Sequence, residues 1–184
     1  MIVSFTGAQS TGKSTMLDMC CNNPVFRKFH CVPEVTRKVA REQNLNINEE
    51  GDSVTQLFIL KEHLHNHYLK GDALLDRCIV DGMVYTEYLY HKDLVDRWVY
   101  TYAMELYKLL APRLDVIFYT DPADVELVDD GERSVNVEFR NDIILGMRHY
   151  LGFSACKDNV VTLSGTPDDR MKTILKTIEN YEHR

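Results

Sequence analysis

Met1-Ile2-Val3-Ser4-Phe5-Thr6, followed at once by Gly7-Ala8-Gln9-Ser10-Thr11-Gly12-Lys13-Ser14-Thr15, is the stretch that decides the fold. Its first six residues are a short, largely apolar run ended by a glycine, which reads as a buried strand opening onto a loop. The next eight satisfy GxxxxGK[ST], a pattern that arises by chance in well under about one chain in a hundred of this length. Gly7 lets the chain leave the strand in a conformation that a Cβ would oppose, and Gly12 lets the backbone approach an oxygen-rich ligand closely. The successive N–H groups from Gly7 through Ala8, Gln9, Ser10, Thr11 and Gly12 to Thr15, with the positive end of a helix predicted from Lys13 to Cys21, suit a run of phosphates. Lys13 supplies a cation for the β- and γ-phosphates, and Ser14 offers a hydroxyl to magnesium. The motif therefore points to ATP and Mg2+ as cofactors.

Outward from this loop, strands and helices alternate. Strands are predicted at Phe29–Val32, Arg77–Val80, Asp115–Tyr119 and Asn159–Leu163, with Asp115–Tyr119 carrying the unbroken Val116-Ile117-Phe118-Tyr119 run of a strand buried on both faces. Helices are predicted from Glu34 to Gln43, from Asp52 or Ser53 to Leu69, through an aromatic-rich region from Gly82 to Leu110, from Asn136 to Leu151, and from Pro167 to Tyr181. Such alternation gives an α/β fold of three layers, a parallel five-stranded sheet with helices on both faces. Joined to the loop motif, it is a P-loop NTPase fold of nucleoside- or nucleotide-kinase type. Residues 1–184 form one domain, with an acidic, turn-rich segment at about 121–140 as a lid.

Composition bounds the partners. The chain has 184 residues and a net charge of −7, with a pI near 5.5, so no broad basic face exists for a nucleic-acid backbone. The fitting partner is a small nucleoside or nucleotide acceptor held by a few placed cations. The oligomeric state stays open, a homodimer included. Cys20, Cys21, Cys31, Cys78 and Cys156 are odd in number and lack CxxC spacing, which argues against a disulfide framework or a zinc ribbon. With no basic, apolar leader pattern and no run of about 18 apolar residues, a cytoplasmic protein with no membrane partner is expected.

Several side chains are candidates for chemistry. Asp81, at the end of the predicted Arg77–Val80 strand, falls where parallel sheets bind ligands. It reads either as a ligand for magnesium or the acceptor hydroxyl, or as a helix N-cap. Glu34 and Arg37 share one face of a helix, where Glu34 would orient a sugar hydroxyl and Arg37 contact a ligand oxygen, or where both form a simple ion pair. Arg133, in Asp129-Asp130-Gly131-Glu132-Arg133, and Arg140 two turns on would deliver cations to the transferring phosphoryl group from a closing loop. Tyr85 would stack on an acceptor base, while the other aromatics suit packing. His63, His65 and His67 lack metal-site spacing, since His63 and His67 alone share a helical face.

Gly7 to Thr15, Val32-Pro33-Glu34 with Arg37, the predicted strand ending at Asp81, and Val128-Asp129-Asp130-Gly131-Glu132-Arg133-Ser134 together resemble the NadR-like P-loop kinase family, typified by ribosylnicotinamide kinase domains. The resemblance spans most of the chain and implies ATP-dependent transfer of the γ-phosphoryl group to a hydroxyl of a nucleoside-like acceptor. It implies Lys13 and Ser14 for ATP and magnesium, Asp81 for metal or acceptor, Arg133 for the lid, and Glu34 as a second catalytic carboxylate. The alternatives are a deoxynucleoside monophosphate kinase, a kinase of a modified nucleotide or DNA base, and a nucleotide-dependent regulatory ATPase. Against a GTPase switch, no NKxD sequence occurs.

Overall fold

The computed structural model describes residues 1–120, 122, 136–153 and 155–182. Strands β1 (Ile2–Thr6), β2 (His30–Val32), β3 (Ala73–Asp76), β4 (Val116–Thr120) and β5 (Val160–Leu163) form one sheet in the order β2-β3-β1-β4-β5, every pair parallel. The helices are α1 (Lys13–Cys21), α2 (Val35–Gln43), α3 (Ser53–Asn66), α4 (Ile79–His91), α5 (Arg97–Leu110), α6 (Val137–Leu151) and α7 (Pro167–Glu182).

β1, β3 and β4 are buried along their whole length, and the two-residue period of a strand divides their side chains between two cores. Val3, Phe5, Leu74, Val116 and Phe118 meet Met16 and Leu17 of α1 and Ile174 and Ile178 of α7. On the other face Ala73, Leu75, Ile117 and Tyr119 meet α4, α5 and α6 through Met83, Val99, Ala103, Ile143 and Met147. Phe5 and Phe118 stack at the centre, ring centroids 5.5 Å apart. Two helix starts, those of α3 and α6, are capped by a side chain that takes up an unpaired N–H group. Asp52 accepts from the Thr55 N–H at 2.9 Å and Asn136 from the Phe139 N–H at 3.1 Å.

β3 differs from its predicted position, ending at Asp76 instead of Val80. Ala73-Leu74-Leu75 and Cys78-Ile79-Val80 are both short apolar runs, and periodicity does not separate a buried strand from the first turn of a buried helix. Pairing decides: the register runs from Ile2↔Ala73 to Phe5↔Asp76. Ile79 and Val80 are buried because the start of α4 is enclosed on all sides. Asp81 thus sits in the first turn of α4, its Oδ2 accepting the Cys78 N–H at 3.0 Å; the N-cap role weighed as its alternative falls to Cys78, and Asp81 stands three residues on as the returning carboxylate of a capping box. The predicted Gly82–Leu110 region is two helices, broken where Asp93 turns with φ 59°.

The cysteines also depart from expectation. Cys21, ending α1, and Cys31, in β2, form a disulfide with Cα atoms 6.2 Å apart, while Cys20, Cys78 and Cys156 are buried thiols. Sequence spacing says nothing about two cysteines that a crossover brings side by side; their Cα separation does. No helix among the described residues is long and apolar enough to cross a membrane.

Candidate active site

The β1–α1 loop is shaped by contacts that exclude side chains. Gly7 has φ +144°, and a Cβ there would lie 2.6 Å from Thr120 Oγ1 and 3.0 Å from the Thr120 carbonyl. The Thr11 and Thr120 hydroxyls are 2.6 Å apart, and Thr120 also donates to the Thr6 carbonyl at 3.1 Å, tying the loop to the end of β4. Gly12, in the left-handed region with φ 86°, caps α1. From the far side Arg170 of α7, 3% exposed, donates through Nη1 to the Thr11 carbonyl at 2.7 Å and through Nε to the Gly165 carbonyl at 3.2 Å. These bonds join the turn after β5 to the loop beside a cleft of about 450 Å3 lined by Gly12, Thr15, Met16, Thr166 and Arg170.

Lys13 lies across the loop, its Nζ donating to the Ala8 carbonyl at 2.5 Å. Burial lowers its pKa to about 7, with the Arg77 charge adding to the effect. An anion placed beside it would restore its proton. Ser14 donates to Asp76 Oδ2 at 2.6 Å. Burial raises the Asp76 pKa, against the opposing pull of Lys13, and Asp76 Oδ1 is buried with no hydrogen-bond partner among the described residues.

Arg77 is the hub of the opposite wall. It leaves β3 with φ 75°, a left-handed conformation that a non-glycine residue rarely adopts. Its guanidinium, 9% exposed, donates through Nε to Glu34 Oε1 at 2.7 Å and through Nη1 to Asp81 Oδ1 at 2.9 Å. Glu34 Oε2 meets Arg37 Nε at 3.2 Å, and Asp81 Oδ2 accepts from the Thr6 hydroxyl at 2.7 Å. Burial opposes ionisation of Glu34, but Arg77 and Lys13 outweigh it and hold the carboxyl below its ordinary pKa. The guanidinium carbon lies 5.4 Å from the centre of the Tyr85 ring, which packs edge-on against Phe139. Glu34, Gln56, His63, Arg77, Asp81 and Tyr85, with Asn48 of the 3-10 turn Asn48–Glu50, line a narrow cavity of about 20 Å3.

Of the predicted residues, Gly7 to Thr15, Glu34, Arg37, Asp81 and Tyr85 converge at the carboxyl ends of β1, β2 and β3. Ser14, expected to share a metal with Asp81, faces Asp76, while the oxygens of Asp81 accept from Arg77, the Thr6 hydroxyl and the Cys78 N–H. Arg140, in the first turn of α6, donates to the Pro122 carbonyl at 3.4 Å. Arg133 and the rest of the expected lid, Pro122 and residues 136–140 apart, lie outside the described residues. His63 and His67 are buried and His65 is exposed, and no group of three or more His, Cys, Asp or Glu among the described residues could hold a metal ion. Sequence reasoning missed Asp76, Arg77 and Arg170. An apolar run ending in Asp-Arg was the available signal for the first two; nothing local marks Arg170.

The loop, the carboxylate facing Ser14 and the parallel sheet define a phosphate-loop nucleotide-binding protein of α/β class. The model of a family described as an AAA domain matches residues 2–151, and the chain belongs to that family. Among solved structures, a NadR protein in complex with NR superposes with a TM-score of 0.74 at 20% identity, covering 98% of this chain and 51% of that one. The chain thus spans about half the length of that NadR protein. A deoxyadenosine kinase from M. mycoides superposes at 0.71 with 13% identity over 98% and 99% of the two chains. A thymidylate kinase from Candida albicans does so at 0.67 with 16% identity over 98% and 92%. The fold is therefore shared with nucleoside and nucleotide kinases. No curated protein gives a significant match.

Proposed function

We propose that this protein transfers the γ-phosphoryl group of ATP to a hydroxyl of a nucleoside-like acceptor, a reaction of the ribosylnicotinamide kinase type, in the cytoplasm. The observation that carries the proposal is the pairing of two walls: a phosphate loop with Lys13, and, across from it, Glu34 held between Arg77 and Arg37 on a separate cavity. A nucleotide switch needs the first wall; a kinase needs both.

In this reading the triphosphate lies on the loop N–H groups, with adenine in the cleft by Thr166 and Arg170. Ser14 and Asp76 would hold magnesium. The set fits a hard cation that keeps several waters, being a hydroxyl and a carboxylate whose Oδ1 is buried and unpartnered among the described residues. When bound, magnesium neutralises charge on the transferring phosphoryl group. Asp81, expected to take this role, serves instead to fix Arg77. The acceptor oxygen forms the new bond to the γ-phosphorus, the bond from that phosphorus to the β–γ bridging oxygen breaks, and Glu34 receives the hydroxyl proton. A carboxylate of lowered pKa suffices because little charge builds on the acceptor oxygen in a loose transition state. Arg37 and Tyr85 contact the acceptor, and Arg133 and Arg140 supply lid cations to the phosphates.

The test is a screen of nucleosides, nucleoside monophosphates and modified DNA with γ-labelled ATP and magnesium. Label on a nucleoside hydroxyl is expected. Label only on a monophosphate or on DNA would move the assignment to that class, and release of free phosphate with no labelled acceptor would favour a regulatory ATPase.

A further inference from the structure

His63 is a buried polar residue that the fold does not use. It is 1% exposed, and neither ring nitrogen has a hydrogen-bond partner among the described residues. A buried polar atom left unpaired costs on the order of 1–3 kcal/mol, so two on one ring require a reason. His67, one turn on, spends its Nδ1 on the His63 carbonyl at 2.7 Å and meets the His63 ring edge-on, without bonding to either of its nitrogens.

The ring lies on the wall of the Glu34–Arg77 cavity. Space for it is provided on the facing helix by Gly82, where a Cβ would come within 3.0 Å of His63 Cδ2 and 3.5 Å of Nε2. Gln56 lies on the same wall, and its Oε1 is 3.0 Å from the Thr86 hydroxyl. That hydroxyl also has the Gly82 carbonyl at 2.6 Å and one proton to give, so it cannot serve both acceptors. Uncharged hydrogen-bonding groups, His63 and Gln56, therefore line the same cavity as the charged Glu34, Arg77 and Asp81.

We propose that His63 determines acceptor specificity by hydrogen-bonding a polar substituent on the acceptor's ring, an exocyclic amino or carboxamide group. The proposal rests on the nucleoside-kinase reading and assigns within it which part of the acceptor enters deepest. Burial, with His67 and Arg77 adding to it, lowers the His63 pKa to about 3, so the imidazole presents one N–H donor and one bare nitrogen acceptor at neutral pH. A neutral donor–acceptor pair matches an amino or amide group. It brings no charge to a phosphate, for which the cations are Lys13, Arg37 and Arg77. As it stands the cavity has room for about one water, so it must widen to admit the acceptor.

Matched nucleosides that differ in one substituent test this: adenosine against purine riboside, cytidine against 2-pyrimidinone riboside, and nicotinamide riboside against N-ribosylpyridinium. Wild-type enzyme is expected to favour the substituted member of at least one pair by about tenfold or more in kcat/KM. In His63→Leu that ratio falls to within about threefold of one, the KM for ATP is unchanged, and Tm is unchanged or raised because two unpaired nitrogens are gone. His63→Gln, which restores a donor and an acceptor, recovers part of the discrimination. Discrimination that survives His63→Leu, or none in wild type for any pair, overturns the proposal and leaves the kinase reading standing. If no nucleoside is labelled although ATP with magnesium binds, the kinase reading itself fails. The side-chain 15N signals of His63 are then followed while the six nucleosides are added, and signals that none of them moves overturn the specificity role as well.

Discussion

The two walls of the cleft are made of different material. On the proposed donor side, the groups that would hold phosphate are main-chain N–H groups, and the shape of that main chain is fixed by Gly7 against Thr120 and by Arg170 against the Thr11 carbonyl. On the acceptor side the backbone contributes little. Four charged side chains from two distant segments, Glu34 and Arg37 on one and Arg77 and Asp81 on the other, neutralise one another around a cavity. A main-chain site is specified locally, because one loop carries all its parts. A side-chain site exists only after β2, β3 and α4 have come together. The donor wall should therefore fail by losing chemistry with the fold intact, and the acceptor wall by losing stability and chemistry together.

The largest expected effect breaks the donor wall. Lys13→Ala removes the one cation of the loop that reaches the transferring phosphates, and kcat/KM should fall by a thousandfold or more, about 4 kcal/mol of transition-state stabilisation. Far-UV circular dichroism should show the fold retained. Activity within tenfold of wild type would remove Lys13 from the chemistry.

That asymmetry also explains what the sequence made legible. Gly7 to Thr15 could be assigned residue by residue because glycine, lysine and serine stand at fixed spacing on one segment. The layer order followed from alternating apolar runs. β3 was misplaced because Ala73-Leu74-Leu75 and Cys78-Ile79-Val80 are equally apolar, and their difference lies in pairing with β1. With the strand misplaced, Asp81 took the metal role that we propose for Asp76, and Arg77 went unnoticed as a strand residue. Glu34 and Arg37 were visible as an i,i+3 pair. The third partner, Arg77, is 43 residues from Glu34, and no local pattern foretells it. The Cys21–Cys31 disulfide was missed for the same reason.

The acceptor wall is tested next. Arg77→Met leaves Glu34 ion-paired to Arg37 with only the more distant charge of Lys13 besides, and takes from Asp81 the cation it is bonded to, both in largely buried positions. Breaking such a network by removing one member should cost about 3 kcal/mol in urea unfolding, as well as transfer activity. Glu34→Gln in the Arg77→Met background should cost less than it does in wild type, since its chief partner is already gone. Additive losses would mean that the two residues do not act as a unit.

The smallest effect sharpens the comparison most, because it reads a single proton on the donor wall. The ordinary lysine pKa is 10.5, and burial brings Lys13 to about 7 in the ligand-free protein. Below pH 7 folded and unfolded chains both carry this proton, and the penalty for burying the cation is complete. Between about pH 7 and 10.5 the unfolded chain holds a proton that the folded chain has released, so the contribution of Lys13 to stability rises with pH across that window. A bound polyphosphate reverses the burial effect by placing negative charge beside Nζ. Binding of ADP with magnesium at pH 8 should therefore draw in up to about one proton, seen as a binding enthalpy that differs between two buffers of unequal ionisation heat. At pH 6, where Lys13 is already charged, its share of the uptake should vanish. Equal enthalpies in both buffers at pH 8 would mean that the loop holds a charged lysine before any phosphate arrives. The donor wall would then be paying its desolvation cost in the empty state, as Arg77 does across the cleft, and the contrast between the two walls would rest on main chain against side chain alone.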